Sequence, residues 1–356
     1  MIMPNSNLLG INRTGSREED TRLGKHRLDR NERNFPFSDE FMARIRTKMT
    51  GELLAAYPEP WHTHEKLAGR LGVPPDRLML APGSEQAIKA VFETYMRPKD
   101  RVLLHFPSFA MYEVYAETFQ AGVESQRYDS GLHFDWEEYI ARIRPGLRLV
   151  LAENPNGFIG AAAPLPVLRA LVEKAHEHGV IALVDEAYFH FHDETCAGWI
   201  DEFDNLIITR TFSKAFGLAG LRIGYVLSNP TTIMNLMKVK PAYEITSVAG
   251  MVACDLLDHP EEMADYLGKN RENLESLRRG LTELGIACSQ SRANFLAVRL
   301  GNTSVADALR RVLYDRGILI RRPFREPELS AWVRISTAEA AIQDVLLSEL
   351  KTVLGR

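Results

Sequence analysis

Apolar residues recur at helical spacing from Glu65 to Leu71 and again from Glu85 to Met96, and Gly83-Ser-Glu immediately precedes the second stretch, where a helix start is expected. Further on, short apolar runs take over: Val102-Leu-Leu104, Arg148-Leu-Val-Leu151, Val180 to Val184, Leu206 to Thr209 and Ile223 to Leu227. Helical stretches near 110–120, 135–143 and 164–178 lie between several of them. Strands buried on both faces read as continuous apolar runs, so this alternation predicts an α/β fold with a mostly parallel sheet covered on both sides. After Pro230 the pattern turns helical, and the charged stretch from Glu261 to Leu284 predicts the bridge to a second unit. Asn294-Phe-Leu-Ala-Val298, Ile318-Leu-Ile320 and Trp332-Val-Arg-Ile335 then read as the strands of a small α+β domain. Residues 1 to about 27 are polar and without period, which predicts a mobile arm. The expected division is 1–45 for that arm and part of the small domain, 46–255 for a large domain and 256–356 for the small C-terminal one.

Composition narrows the function classes. At 356 residues, 45% hydrophobic and 25% charged, the chain has the balance of a globular protein larger than one ordinary core. A net charge of −4 with scattered lysines and arginines argues against nucleic acid as a partner. No apolar run approaches a membrane span and the first residues lack a signal-peptide pattern, so a cytoplasmic protein without membrane contact is expected. Three cysteines, Cys196, Cys254 and Cys288, are too few and too dispersed for a disulfide framework or a zinc site. His190 and His192 are spaced i, i+2 on a strand-like run, but no third ligand stands at a convincing spacing, so no metal is expected.

The segment Arg210-Thr-Phe-Ser-Lys-Ala-Phe-Gly-Leu-Ala-Gly-Leu-Arg-Ile-Gly224 carries the chemistry. Lys214 stands in a loop of small and aromatic residues after an apolar strand, where its amine can meet an aldehyde. Arg222, eight positions on, can fork onto a phosphate. Asp185, closing Val180-Ile-Ala-Leu-Val184, sits where a buried carboxylate keeps a pyridine nitrogen protonated. An aldehyde, a phosphate and a pyridine nitrogen together are the demands of pyridoxal phosphate. Gly83, Ser84 and Glu85, opening a helix, offer free backbone amides to the phosphate, with Ser213 and Arg222 completing the cup. Arg321 and Arg334 suit a substrate's carboxylate or phosphate, although Arg322 and Arg325 lie close in sequence to the first of them. Glu186 is expected to point away from the site.

These motifs, with Leu28-Asp-Arg-Asn-Glu32, Ala56-Tyr-Pro-Glu-Pro60, Ala81-Pro-Gly-Ser-Glu-Gln-Ala-Ile88, Phe106-Pro-Ser-Phe-Ala-Met-Tyr112 and Trp332-Val-Arg-Ile-Ser336, run in the order and spacing of a known family. The chain resembles the fold-type I pyridoxal-phosphate aminotransferases of class I/II, and within them the histidinol-phosphate aminotransferase group. The resemblance implies a large domain with a mostly parallel sheet of the seven-stranded type, a small α+β domain, and a homodimer with shared active sites. It places Tyr188 at the cofactor's phenolic oxygen, Phe109 on the cofactor ring where the family more often has tyrosine, and Tyr57 at the neighbouring subunit's cofactor phosphate. It assigns Arg334 to the donor's α-carboxylate and Arg321 to a substrate phosphate. The implied activity moves an amino group between a glutamate-like donor and a small, phosphorylated oxo acceptor.

One motif departs from the family. Where the pattern reads Asn-Pro-Asn-Asn-Pro-Thr-Gly, this chain has Asn154-Pro-Asn-Gly-Phe-Ile-Gly160, so Gly157 replaces the asparagine expected at the phenolic oxygen. Either Asn156 shifts into that role or Tyr188 carries it alone. One neutral hydrogen bond lost there changes the cofactor's electronic balance by about one pKa unit, roughly 1.4 kcal/mol. The departure predicts a specialised branch. Two other activities stay open at the level of sequence: a decarboxylase of an O-phospho amino acid using the same cofactor cup, and a non-catalytic ligand sensor on the same fold. The second predicts loss of Lys214 or Asp185, and both are present.

Overall fold

The computed structural model describes residues 5–11 and 22–355. Segments 1–4 and 12–21, most of the expected arm, lie outside the described residues. The remainder of that arm is placed: the Asn7 side chain donates to the Thr118 carbonyl at 2.8 Å, and β1 (His26–Leu28) is a strand.

Seven strands form the central sheet: β2 (Leu78–Ala81), β3 (Arg101–Phe106), β4 (Gly122–Arg127), β5 (Leu147–Glu153), β6 (Ile181–Asp185), β7 (Leu206–Thr211) and β8 (Gly224–Leu227). Their order is β2-β8-β7-β6-β5-β3-β4. All neighbours pair in parallel except β8, which runs antiparallel to both β2 and β7. Side-chain alternation divides each strand between two cores. On β5, Val150 and Ala152 join one apolar cluster while Leu149 and Leu151 join the other; Ala182 and Val184 oppose Ile181 and Leu183 on β6 in the same way. Helices cover both faces, which is why these strands read as unbroken apolar runs.

Two of the sheet's strands escape the sequence pattern. Leu78–Ala81 is only four residues long, between two helices. Edge strand β4 carries Gly122-Val-Glu-Ser-Gln-Arg127, with four polar side chains among six residues. The segment holding His190 and His192 is corrected as well: Phe189–His192 is a helical turn, not a strand.

A separate core gathers around the helix Pro260–Glu283, which supplies Leu274, Leu277 and Leu281. Around it lie β9 (Phe295–Arg299), β10 (Ile318–Ile320) and β11 (Trp332–Ser336), with β9 and β11 antiparallel. β1 crosses from the start of the chain to pair in parallel with β10. Residues 29–34 therefore run from this small sheet toward the carboxyl ends of β5 to β7. In a parallel α/β sheet that edge is where side chains converge on a ligand.

Candidate active site

β7 ends at Thr211, and the chain makes a tight excursion through Lys214 before returning along β8. The excursion is closed by Phe212 N to Ile223 O at 3.0 Å and Leu218 N to Phe212 O at 2.9 Å. Phe212 and Phe216 stack with centroids 4.3 Å apart, fixing both shoulders of the loop. Gly217 has φ of 75°, and a Cβ there would lie 2.5 Å from the Arg33 side chain, so only glycine lets residues 29–34 lie this close. Pressed between the two segments, Lys214 donates to the Arg30 carbonyl at 2.9 Å and the Asn31 carbonyl at 3.4 Å. Its Nζ is 5.7 Å from the centre of the Tyr188 ring. Burial, and then the charge of Arg334, pull its pKa down to about 7; Glu32 opposes them while Arg222 and Arg321 add to the fall. A lysine so placed is substantially a neutral amine at physiological pH.

Asp185 closes β6, accepting from the Tyr112 hydroxyl at 2.5 Å and the Ala187 amide at 3.1 Å. Burial pushes its carboxyl upward, and these donors oppose the rise. Glu186 turns to the opposite side, where its carboxylate pairs with Arg210 at 2.7 Å and accepts from the Cys196 amide at 2.8 Å.

Tyr188 is buried, and its phenol oxygen accepts from the Asn31 amide at 2.7 Å. That bond leaves the phenol's own hydrogen available to the cleft. Burial raises its pKa to about 12, so it is a neutral donor. Asn156 is one of two alternatives for the place left at Gly157. Its Nδ2 donates to the Pro107 carbonyl at 2.9 Å and to Glu153 at 3.1 Å, and its Oδ1 accepts from the amides of Phe158 and Ile159, both at 2.9 Å. Both ends of the amide shape the loop, so it does not shift into the role left open at Gly157.

At the other end of the site, the helix Ser84–Tyr95 begins at Gly83 with no side-chain cap, leaving its first-turn amides open. Gly83 has φ of 83°, and a Cβ there would stand 2.7 Å from Arg222 Nη2. Arg222 is itself in the left-handed region at φ 52° and donates to the Ser213 hydroxyl at 3.1 Å. Open amides, a hydroxyl and a guanidinium around a space that only glycine keeps clear fit a phosphate.

Arg334 is buried, donating to the Gly157 carbonyl at 2.6 Å and the Asp29 carbonyl at 2.9 Å, while its Nε has no partner. Burial, then Arg321, bring its pKa down to about 10. Phe158 links the two arginines: its ring centre is 5.1 Å from the Arg321 guanidinium and 5.0 Å from that of Arg334. Arg321 has no ion-pair partner among the described residues, and Arg322 and Arg325 are exposed, which makes Arg321 the inward member of that group.

Phe109 stands beside Tyr112, edge to face at 6.0 Å, with its backbone amide on Glu153 at 2.6 Å. Tyr57 is not gathered into this cluster. It is 77% exposed and stacks on Tyr243 at 4.7 Å, with Trp61 also bare nearby in sequence. Sequence reasoning missed Asn31, Tyr112 and Glu153. Asn31 is fully buried and its backbone oxygen also accepts from Asn294, so one residue connects Lys214, Tyr188 and the small sheet. Its only signal was its place in the quoted Leu28-Asp-Arg-Asn-Glu32 motif.

The residues present therefore fit pyridoxal phosphate: a neutral amine, a buried carboxylate, a phenol donor and an anion cup. Comparison with known proteins agrees. Residues 51–350 match the model of the family "Aminotransferase class I and II". A histidinol-phosphate aminotransferase of Caldanaerobacter subterraneus is 32% identical over 338 residues, covering 93% of each chain. The crystal structure of histidinol-phosphate aminotransferase from Sinorhizobium meliloti in complex with pyridoxal 5'-phosphate superposes with a TM-score of 0.89 at 25% identity, over 99% of this chain and 97% of that one. An L-threonine-O-3-phosphate decarboxylase from Porphyromonas gingivalis shares the fold, with a TM-score of 0.79 at 22% identity over 93% of this chain and 99% of that one.

Proposed function

The chain belongs to the class I and II aminotransferases, and from that premise we propose that it exchanges an amino group between a glutamate-like donor and a small, phosphorylated oxo acceptor of the histidinol-phosphate type. It is a pyridoxal-phosphate-dependent aminotransferase. When bound, the cofactor supplies an aldehyde and an electron-accepting ring. The observation that carries the assignment of roles is Lys214: a part-buried amine held on two backbone carbonyls, with its pKa brought to about 7.

In this reading Lys214 Nζ is the nucleophile and afterwards moves the proton at the substrate's Cα. Asp185 holds negative charge against the ring nitrogen, with Tyr112 fixing its orientation. Tyr188 donates to the phenolic oxygen, and Phe109 offers its ring face. Gly83, Ser84, Glu85, Ser213 and Arg222 bind the phosphate. Arg334, anchored on Gly157 and Asp29, supplies the positive charge for an α-carboxylate; Arg321 receives the substrate's phosphate. Residues 46–255 form the cofactor-binding unit, 256–356 the small unit, and 1–45 the arm with β1, a division supported by the separate core around Pro260–Glu283.

The proposal includes a homodimer in which Tyr57 reaches the partner's cofactor phosphate; the exposure of Tyr57, Trp61 and Tyr243 supports it. A cytoplasmic setting belongs to the same reading, in keeping with three unpaired cysteines. Among the described residues no helix is long and apolar enough to cross a membrane.

The test is an absorbance titration of the purified enzyme with glutamate, histidinol phosphate, phenylalanine and O-phosphoserine, with carbon dioxide recorded alongside. Histidinol phosphate should convert the cofactor to its amine form and 2-oxoglutarate should restore it. Conversion by another amine alone would overturn the substrate assignment, and carbon dioxide release would replace transamination with decarboxylation. Borohydride should fix the cofactor on Lys214; its failure to do so would sink the site assignment.

A further inference from the structure

Asn31 stands between the small sheet and the central one, on the segment that leaves β1. Its backbone has φ of 56°, in the left-handed region that asparagine tolerates better than most residues. Its carbonyl accepts from Lys214 Nζ at 3.4 Å and from Asn294 Nδ2 at 3.2 Å. The side chain is fully buried and bonded at both ends. Oδ1 accepts from the Ser336 hydroxyl at the end of β11 at 3.0 Å, and Nδ2 donates to the Tyr188 phenol at 2.7 Å and to the Gly157 carbonyl at 3.3 Å. The proposed function uses the Asn31 backbone and leaves this amide without a role.

The Gly157 carbonyl can only accept, so it settles which way round the amide lies. Reversed, Oδ1 would meet that carbonyl oxygen, and the phenol would have to spend its hydrogen on Asn31. With Nδ2 on that side, the phenol oxygen is the acceptor and its one hydrogen is turned away from Asn31. Among the described residues that hydrogen has no acceptor, so it is left to the cleft. The Gly157 carbonyl is itself fixed, accepting from Arg334 Nη1 at 2.6 Å. A phenol that accepts a hydrogen bond is also polarised into a better donor. With glycine at position 157 no side chain shares this duty, although a Cβ there would stand 3.8 Å from the Tyr188 hydroxyl.

We propose that Asn31 is a positioning residue: its amide, braced by Ser336 and the Gly157 carbonyl, directs the Tyr188 hydrogen to the cofactor's phenolic oxygen and strengthens that donor, acting through Tyr188 where position 157 offers no side chain. The proposal rests on the functional reading, since the phenolic oxygen belongs to the cofactor. Ser336 closes β11 and Asn294 precedes β9, so the setting of the donor depends on the small sheet being seated against the central one. A donor at the phenolic oxygen competes with the proton that oxygen shares with the nitrogen bound to Lys214. Weakening the donor therefore moves the alkaline transition of the cofactor's absorbance to higher pH.

Carbon-13 NMR of cofactor-free enzyme labelled at tyrosine Cζ tests the contact. The resonance missing from Tyr188→Phe should move in Asn31→Gly, which keeps the left-handed backbone while removing the amide, and should move less in Ser336→Ala. An unmoved resonance in either folded variant would overturn the proposal, and Ser336→Ala decides alone if Asn31→Gly does not fold. In the holoenzyme, Tyr188→Phe should raise the absorbance transition by about one pH unit, the change expected from one neutral hydrogen bond. Asn31→Gly should raise it by a smaller step and add nothing in the Tyr188→Phe background. No shift in the single variant, or a shift that adds in full to that of Tyr188→Phe, would refute a role acting through Tyr188. Borohydride fixation on Lys214 in the same samples reports separately on the functional reading: if fixation fails while the resonance moves, that reading is lost and the contact stands; if fixation succeeds while the shifts add, the positioning role alone is lost.

Discussion

The Phe158 ring lies against the Arg334 guanidinium, 5.0 Å from ring centre to guanidinium carbon, on the same residue that approaches Arg321. Aromatic contact orients a planar cation without neutralising it, so both arginines keep their charge for a substrate. Phe158→Ala should therefore weaken substrate binding by about 1–2 kcal/mol, a rise in KM of about 5–30-fold, with a smaller effect on kcat. Steady-state kinetics with the phosphorylated substrate checks this, and an unchanged KM would remove Phe158 from the binding site.

Lys214 at a pKa of about 7 reacts as a free amine only when deprotonated. The rate at which cofactor-free enzyme takes up pyridoxal phosphate should rise through pH 7 and level off above it, whereas an ordinary lysine would still be gaining near pH 10, about where its pKa lies. Stopped-flow absorbance gives the profile. Lys214→Ala should lose turnover while retaining the fold by circular dichroism; retained transamination would contradict the assignment.

Gly83 keeps clear the space that Arg222 borders. Gly83→Ala combines a strained φ with a close approach to that guanidinium, and Arg222→Ala removes a charged donor worth about 1.5–3 kcal/mol. Both variants should release cofactor during dialysis, with the dissociation constant raised about 10- to 150-fold for Arg222→Ala. Fluorescence titration of the cofactor-free protein measures it, and wild-type affinity would show that the phosphate binds elsewhere.

Arg33 and Glu262 form a pair at 2.7 Å with side chains only 3% and 7% exposed. Breaking it leaves a buried charge alone, which typically costs about 3–5 kcal/mol. Glu262→Ala should lower the thermal midpoint clearly, and pairing it with Arg33→Met should recover part of the loss. Calorimetry of both proteins provides the check; a single variant as stable as wild type would mean water replaces the carboxylate.

The large sheet's long central strands were legible because apolar runs on β5 and β6 leave no polar face to misread. The lysine loop was legible because Ser213, Lys214 and Arg222 stand close in sequence. β4 was hidden because an edge strand keeps one side wet and its polar residues mask the pattern. Glu153 was hidden for another reason: it meets Asp185 only through strand register, a relationship between residues far apart in sequence. Which of Asn156 and Tyr188 serves the vacant position was not legible, because adjacency in sequence does not show that the Asn156 side chain is directed into its own loop.

The pairing of β1 with β10 also determines when the site comes into being. The carbonyls that hold Lys214 belong to Arg30 and Asn31, just beyond β1, whose hydrogen-bonding partner is Ile318–Ile320 near the far end of the chain. Contacts between such remote segments form late, after the loop between them has been closed. During synthesis the large sheet can assemble with the lysine already in its loop, yet the segment carrying its two acceptors lacks the strand pairing that braces it until the last strands leave the ribosome. Completion of the chain is thus built into the order in which catalytic competence is acquired.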